Sequence, residues 1–221
     1  MMHDTKLAEM IATRLCHDLT GPIGAVNNGA EFLDEEGFDM QNEAVKLIVS
    51  SAHEAVNRLQ FYRQAYGRGG ETGEASLSEK KQITLDFFSA TKVKVDWPDS
   101  HTDAAGMEIS QKMARLMLNL FIIVGASAMR GGVLSVRVAK ADDGEKQIDI
   151  SITGETIKFD AETAAIIGRD AKEPALTPKT AQPYLAMQLA QELHATVAVT
   201  VDTGMLAIRV TQAQLALASA L

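Results

Sequence analysis

The sequence holds one cysteine, Cys16, in 221 residues. A disulfide framework and an all-cysteine metal site within one chain are therefore excluded, and a reducing, cytoplasmic setting fits. The first twenty residues include Lys6, Glu9, Arg14, His17 and Asp18, so they lack the apolar core of a signal peptide. Long hydrophobic runs are missing too. The longest, residues 116–128, is interrupted by Asn119, Gly125 and Ser127 and is too short to span a bilayer. Positive charge is in deficit: 21 Lys and Arg stand against 29 Asp and Glu, for a net charge of −8. No basic stripe is left to neutralise phosphates, so neither a nucleic acid nor a membrane is expected as partner. Internal repeats and low-complexity segments are absent. What remains, 46% hydrophobic and 23% charged, is an ordinary globular composition at a length that allows one large domain or two small ones.

Helical spacing opens the chain. Leu7, Ile11, Leu15, Leu19, Ile23, Val26, Ala30 and Leu33 predict a helix over residues 6–33, which Gly37 is suited to end. A second helix is predicted over residues 40–66, with Val45, Ile48, Ala52, Val56 and Leu59 on one face. The short connection makes an antiparallel hairpin, residues 1–66. Such a hairpin has one partner face and cannot bury a full core alone. Pairing with a second copy into a four-helix bundle is the simplest remedy. The glycine-rich stretch 67–73 marks a linker, set at residues 67–76, before a second domain over residues 77–221.

In that second domain helices are predicted at 78–90, 108–129, 161–168 and 179–194. Strands are expected at 92–97, 133–139, 147–153, 196–201 and 205–210, the last two joined as a hairpin by Asp202, Thr203 and Gly204. The fold class is α+β: a helical hairpin followed by a two-layer sandwich of helices on a mixed sheet.

The chemistry concentrates in residues 14–22, R-L-C-H-D-L-T-G-P. Leu15 and Leu19 lie on the apolar stripe, and at about 100° per residue His17 falls midway and points outward. Thr13, Gly21, Gly24 and Asn28 share its face and form a low surface on which another protein can place an active site. Two interior glycines cost a helix roughly 1 kcal/mol each relative to alanine, so close approach of a partner, or packing within a dimer, is a plausible return. A histidine nucleophile must be neutral at its attacking nitrogen. A carboxylate such as Asp18, bonded to the other ring nitrogen, fixes that tautomer and stabilises the developing charge. Pro22 removes one helical hydrogen bond about a turn beyond His17. His3, His53, His101 and His194 show no metal-ligand spacing, and Cys16 reads as a small packed hydrophobe.

Residues 15–22 resemble the histidine box of sensor histidine kinases, in which His precedes Glu or Asp and is followed at +5 by Pro. The order of hairpin, linker and α+β domain resembles theirs as well. Residues 116–120, L-M-L-N-L, resemble the start of the kinases' asparagine box, but the residue at the magnesium-binding position is Ile123. Residues 150–157 resemble the box D-x-G-x-G, with Ile152 for its aspartate and Thr156 for its second glycine; Gly154 remains. The glycine-rich lid has become residues 180–184, T-A-Q-P-Y.

A kinase-like chain stripped of its nucleotide groups is similar to the ChpT-type histidine phosphotransferases of bacterial phosphorelays. The resemblance implies a homodimer that takes a phosphoryl group on His17 from the receiver domain of a hybrid kinase and passes it to response regulators. Asp18 assists; Arg14, Gly21, Gly24 and Asn28 are candidate docking residues, and Arg14 and Arg58 are cations suited to meet an acidic receiver. The receiver brings the magnesium ion, so no cofactor or metal is expected on this chain. Gly21 stands where kinases position a hydrolytic water, which makes phosphatase action by that route doubtful. Two other readings stay open: a non-catalytic module that binds receivers or kinases, and a divergent ATP-dependent kinase.

Overall fold

The computed structural model describes residues 2–34, 38–67, 73–101, 109–140, 145–168 and 175–212. Two long helices open it, α1 (Met2–Asp34) and α2 (Phe38–Tyr66). They lie antiparallel: Gly29 meets Ala44 and Ile48 near the connection, and Asp18 meets Arg58 and Tyr62 further down. A Cβ on Gly29 would stand 2.7 Å from Ile48 Cγ1 and 3.2 Å from the Ala44 carbonyl oxygen, so only glycine permits this approach.

The single apolar stripe expected on α1 divides in two. Leu7 and Ile11 are buried, Leu15 and Leu19 are half-buried, and Ile23 is 55% exposed. The reason is geometric: residues repeating every four positions drift around a helix by about 40° at each step. Leu7 therefore faces the rest of this chain, and Ile23 faces away from it. On α2 the expected face divides as well: Ile48 and Ala52 are half-buried, Ile48 against Gly29, while the rest turns outward. Val45, Val56 and Leu59 are exposed, as is Val49, and the buried positions are Ala44, Ser51, Phe61, Tyr62 and Ala65.

The second part runs β1 (Glu74–Ala75), α3 (Leu77–Phe88), β2 (Val93–Asp96), a 3-10 turn (Asp99–His101), β3 (Ile109–Ser110), α4 (Gln111–Ser127), β4 (Gly132–Lys140), β5 (Lys146–Thr153), α5 (Ala161–Ile167), α6 (Ala181–Glu192), β6 (Ala195–Asp202) and β7 (Met205–Gln212). Five strands make one sheet in the order β2-β4-β5-β7-β6, parallel between β2 and β4 and antiparallel elsewhere. Alternation puts every second side chain of the central strands on one face. Register aligns them in rows: Leu134, Ile152 and Leu206; Val136, Ile150 and Ile208; Val138, Ile148 and Val210. All nine are buried beneath the helical layer. The β6–β7 turn works because Gly204 takes φ +74°, a left-handed conformation that L side chains rarely adopt.

Several boundaries differ from the sequence reading, three of them with a visible cause. Glu74 and Ala75, assigned there to the linker, pair with Ser110 and Ile109 in a small second sheet. Helix α4 starts at Gln111 because Ser110 Oγ accepts the Met113 amide at 3.1 Å, a side-chain N-cap. His194 lies past the end of α6 at φ 51°, outside the helix expected to include it. Residues 68–72 of the linker fall outside the described residues.

The hairpin does not stand apart. Phe61, Tyr62 and Ala65 of α2 are buried in the same core as Leu118, Phe121 and the sheet rows. Leu7 and Ile11 of α1 cluster with Leu176 and Ala181. The open end of the hairpin thus finds a second partner within its own chain. Among the described residues no helix is long and apolar enough to cross a membrane.

Candidate phosphotransfer site

The His17 side chain is 87% exposed on α1, on the outward face that the helix geometry requires. Its Nδ1 lies 3.2 Å from Asp18 Oδ1. A carboxylate can only accept, so in the neutral imidazole this contact places the proton on Nδ1 and leaves the Nε2 lone pair free. Asp18 is held from below. Its Oδ2 accepts the Tyr62 hydroxyl at 2.5 Å, and the Arg14 guanidinium lies 3.6 Å from that oxygen.

Pro22 contributes through what it lacks. Without an N–H it leaves the carbonyl four residues back, that of Asp18, without a helical partner. Arg58 Nη1 fills the gap at 3.1 Å, and Glu54 Oε1 holds the guanidinium in turn at 2.5 and 3.0 Å. Both the side chain and the backbone of Asp18 are therefore fixed from α2.

Tyr62 was not placed in the site by sequence reasoning, and Arg58 was read there as a cation for an acidic receiver, not as a partner of Asp18. A signal was present: Glu54, Arg58, Tyr62 and Tyr66 recur every four residues on α2, and two of the chain's three tyrosines are among them. Tyr62 is 4% exposed, and its ring stacks on Tyr66 with centroids 5.5 Å apart and planes at 15°. Burial, reinforced by the hydrogen bond to Asp18, raises the Tyr62 hydroxyl far above the ordinary tyrosine range. Burial also pushes Tyr66 up to about 12. Both stay protonated donors at neutral pH.

The docking candidates separate. Gly21 and Asn28 are exposed, Gly24 is half-exposed, and a Cβ on either glycine would meet nothing within 4 Å. Nothing within the described chain requires glycine there. Arg14, by contrast, is engaged within the chain. It is half-buried against the second domain and lines a cavity of about 260 Å³ with Ile123 and Gln182. Three helix positions before the histidine, it turns toward Asp18 and α4. Cys16, expected to be packed, is exposed.

The residues at the kinase-like boxes have other duties. Ile123 is 7% exposed in the core, and Ile152 is fully buried between Leu134 and Leu206. Neither offers an oxygen to magnesium or a carboxylate to adenine, so these positions do not fit a magnesium nucleotide. Gly154 is kept by packing, since a Cβ there would lie 2.7 Å from the Gly131 carbonyl oxygen. Thr180 is buried in a turn, its hydroxyl donating to the Ala175 carbonyl at 2.6 Å. Asn119 is fully buried; its Nδ2 donates to the carbonyls of Ala65 and Arg115 at 2.8 and 2.7 Å. Among the described residues no group of three or more His, Cys, Asp or Glu is arranged to hold a metal ion.

Comparison with known proteins identifies the family. The family of histidine phosphotransferase C-terminal domains matches residues 77–204. Protein phosphotransferase ChpT of Brucella abortus (strain 2308) is 30% identical over 197 residues, spanning 86% of this chain and 90% of that protein. A bacterial phosphotransferase structure solved at 1.7 Å superposes with a TM-score of 0.77 at 27% identity, covering 92% of this chain and 95% of that one. With a phosphotransferase aligned along nearly its full length and the family's domain over most of its second part, the chain belongs to the histidine phosphotransferase family.

Proposed function

We propose that this protein is a relay point in a bacterial phosphorelay, accepting a phosphoryl group on His17 from the receiver aspartate of a hybrid histidine kinase and delivering it to aspartates of response regulators. The observation that carries the reading is the exposed Nε2 of His17, with Nδ1 committed to Asp18. Nε2 attacks phosphorus in line, the N–P bond forms, and the P–O bond to the receiver carboxylate breaks. The carboxylate leaves as an anion. The proton stays on Nδ1, where Asp18 stabilises the cationic phosphoimidazole. The second transfer is the reverse displacement by another carboxylate. The receiver supplies magnesium, which neutralises the equatorial oxygens. Gly21, Gly24 and Asn28 form the surface on which it lands, and the exposed apolar residues of the hairpin pair with a second copy in a cytoplasmic homodimer. ATP is not a donor, since Ile123 and Ile152 replace the groups that would hold it.

The test mixes a phosphorylated receiver with the wild type and with His17→Ala. Label is expected on the wild type alone; label on both proteins overturns the site. Labelling of the wild type by ATP and magnesium without a receiver would make it a divergent kinase. A protein that binds receivers and takes no label is a regulator instead.

A further inference from the structure

From the sheet domain a line of hydrogen bonds, joined at one step by two stacked tyrosine rings, reaches the histidine, and the direction of its bonds is fixed by their ends. Asn119 Nδ2 donates to two backbone carbonyls, of Ala65 and Arg115, which can only accept. Its Oδ1 is thereby turned to receive Gln182 Nε2 at 2.6 Å. Gln182 Oε1 then faces the Tyr66 hydroxyl, which donates to it at 2.6 Å. The Tyr66 ring lies flat on Tyr62, and Tyr62 donates to Asp18, which receives Nδ1 of His17. Asn119 is 0% and Gln182 1% exposed. Buried amides are costly unless satisfied, and these two use both their donor and their acceptor sides. They belong to α4 and α6, at positions where the chain resembles the kinases' nucleotide boxes.

We infer that the sheet domain is part of the phosphotransfer machinery: Asn119 and Gln182 brace Tyr66 and Tyr62, and Tyr62 is a positioning residue that aims the Asp18 carboxylate at His17 Nδ1. The inference rests on His17 being the phosphoryl acceptor. Asp18 is next to His17 on the helix, and adjacent residues do not naturally face one another. With Tyr62 holding Oδ2, on the side where Arg14 also lies, the carboxylate cannot swing toward solvent, and Oδ1 remains on the imidazole. The tautomer with Nε2 unprotonated is then the prevailing one. Without the hydroxyl the carboxylate is free to turn, and the proton is no longer confined to Nδ1.

Tyr62→Phe keeps the ring and its stacking and removes only the donor. Gln182→Met keeps the volume and breaks the line one domain away. Nitrogen-15 NMR of the His17 imidazole reads the tautomer directly, and single-turnover transfer from a phosphorylated receiver reads its consequence. Thermal melting identifies any variant that fails to fold. Both folded variants should shift the imidazole toward the Nε2–H form. Transfer should slow by about 10-fold for Tyr62→Phe, the worth of one hydrogen bond to a charged group, and by less for Gln182→Met. A variant that melts earlier but keeps the wild-type imidazole spectrum and transfer rate would reduce the line to a structural strut and overturn the inference. Should Tyr62→Phe not fold, Gln182→Met alone decides. A wild type that takes no phosphoryl group sinks the relay function instead, and the imidazole spectra still judge the bracing.

Discussion

Arg58 on α2 donates from Nη1 to the backbone carbonyl of Asp18, 3.1 Å away on α1. That acceptor is free because Pro22, four residues on, has no N–H. A proline that reads in sequence as the loss of one helical hydrogen bond thus also creates a docking point for the neighbouring helix.

Arg58→Met should therefore cost about 1–2 kcal/mol, measured by urea unfolding, since it strands a backbone acceptor. In a Pro22→Ala background the new N–H reaches Asp18, and the same substitution should cost less by about 1 kcal/mol. Equal costs in the two backgrounds would mean that Arg58 acts only through Glu54.

The glycines of the hairpin should respond in opposite senses. Gly21→Ala and Gly24→Ala meet open space and should each raise stability by about 0.5–1 kcal/mol while slowing transfer from a receiver. Gly29→Ala pushes a Cβ into Ile48 and should lower stability by about 1–3 kcal/mol. Unchanged transfer in both outward variants would remove that face as a docking surface.

Ile23, Val45, Val49, Val56 and Leu59 are each about half exposed, from 47% to 55%. So many apolar side chains on one hairpin call for a cover. Light scattering should find a dimer for the wild type and a monomer for Ile23→Glu with Leu59→Glu. A wild-type monomer at micromolar concentration would contradict the homodimer.

Alkali should unfold the protein early. The Tyr62 and Tyr66 hydroxyls are both raised above the ordinary value of about 10, so the folded state keeps protons that the unfolded state releases. Their contribution is complete below about pH 10 and declines as pH rises toward the folded values. Melting temperatures taken from pH 8 upward should fall, and less steeply in a Tyr62→Phe, Tyr66→Phe double variant. Parallel curves would show that the tyrosines do not govern this limb.

Strand alternation was legible to within a residue or two, because Leu134, Val136 and Val138 and their partners obey a period of two that burial imposes directly. The outward direction of His17 followed from local helix geometry. What was hidden depends on contacts between distant segments. The stripe from Leu7 to Ile23 looks continuous in sequence, yet its drift decides which end faces α6 and which faces away from the chain. Tyr62 and Gln182 carry no local mark of their bonds to Asp18 and Asn119, which span 44 and 63 residues. Asn119 looked like the remnant of a box, and the structure makes it a keystone between α2 and α6.

The shared core has a mechanical meaning. Phe61, Tyr62 and Ala65 lie among Leu118, Phe121 and their neighbours. Swinging the sheet away from the hairpin would expose two large aromatic rings, at a cost on the order of 5 kcal/mol. Calorimetry should accordingly record one melting transition for the whole chain. A rigid body of this kind has no stroke of its own to time the reaction. In the proposed relay it is a fixed post, and the clock belongs to whichever receiver arrives carrying a phosphoryl group or ready to take one.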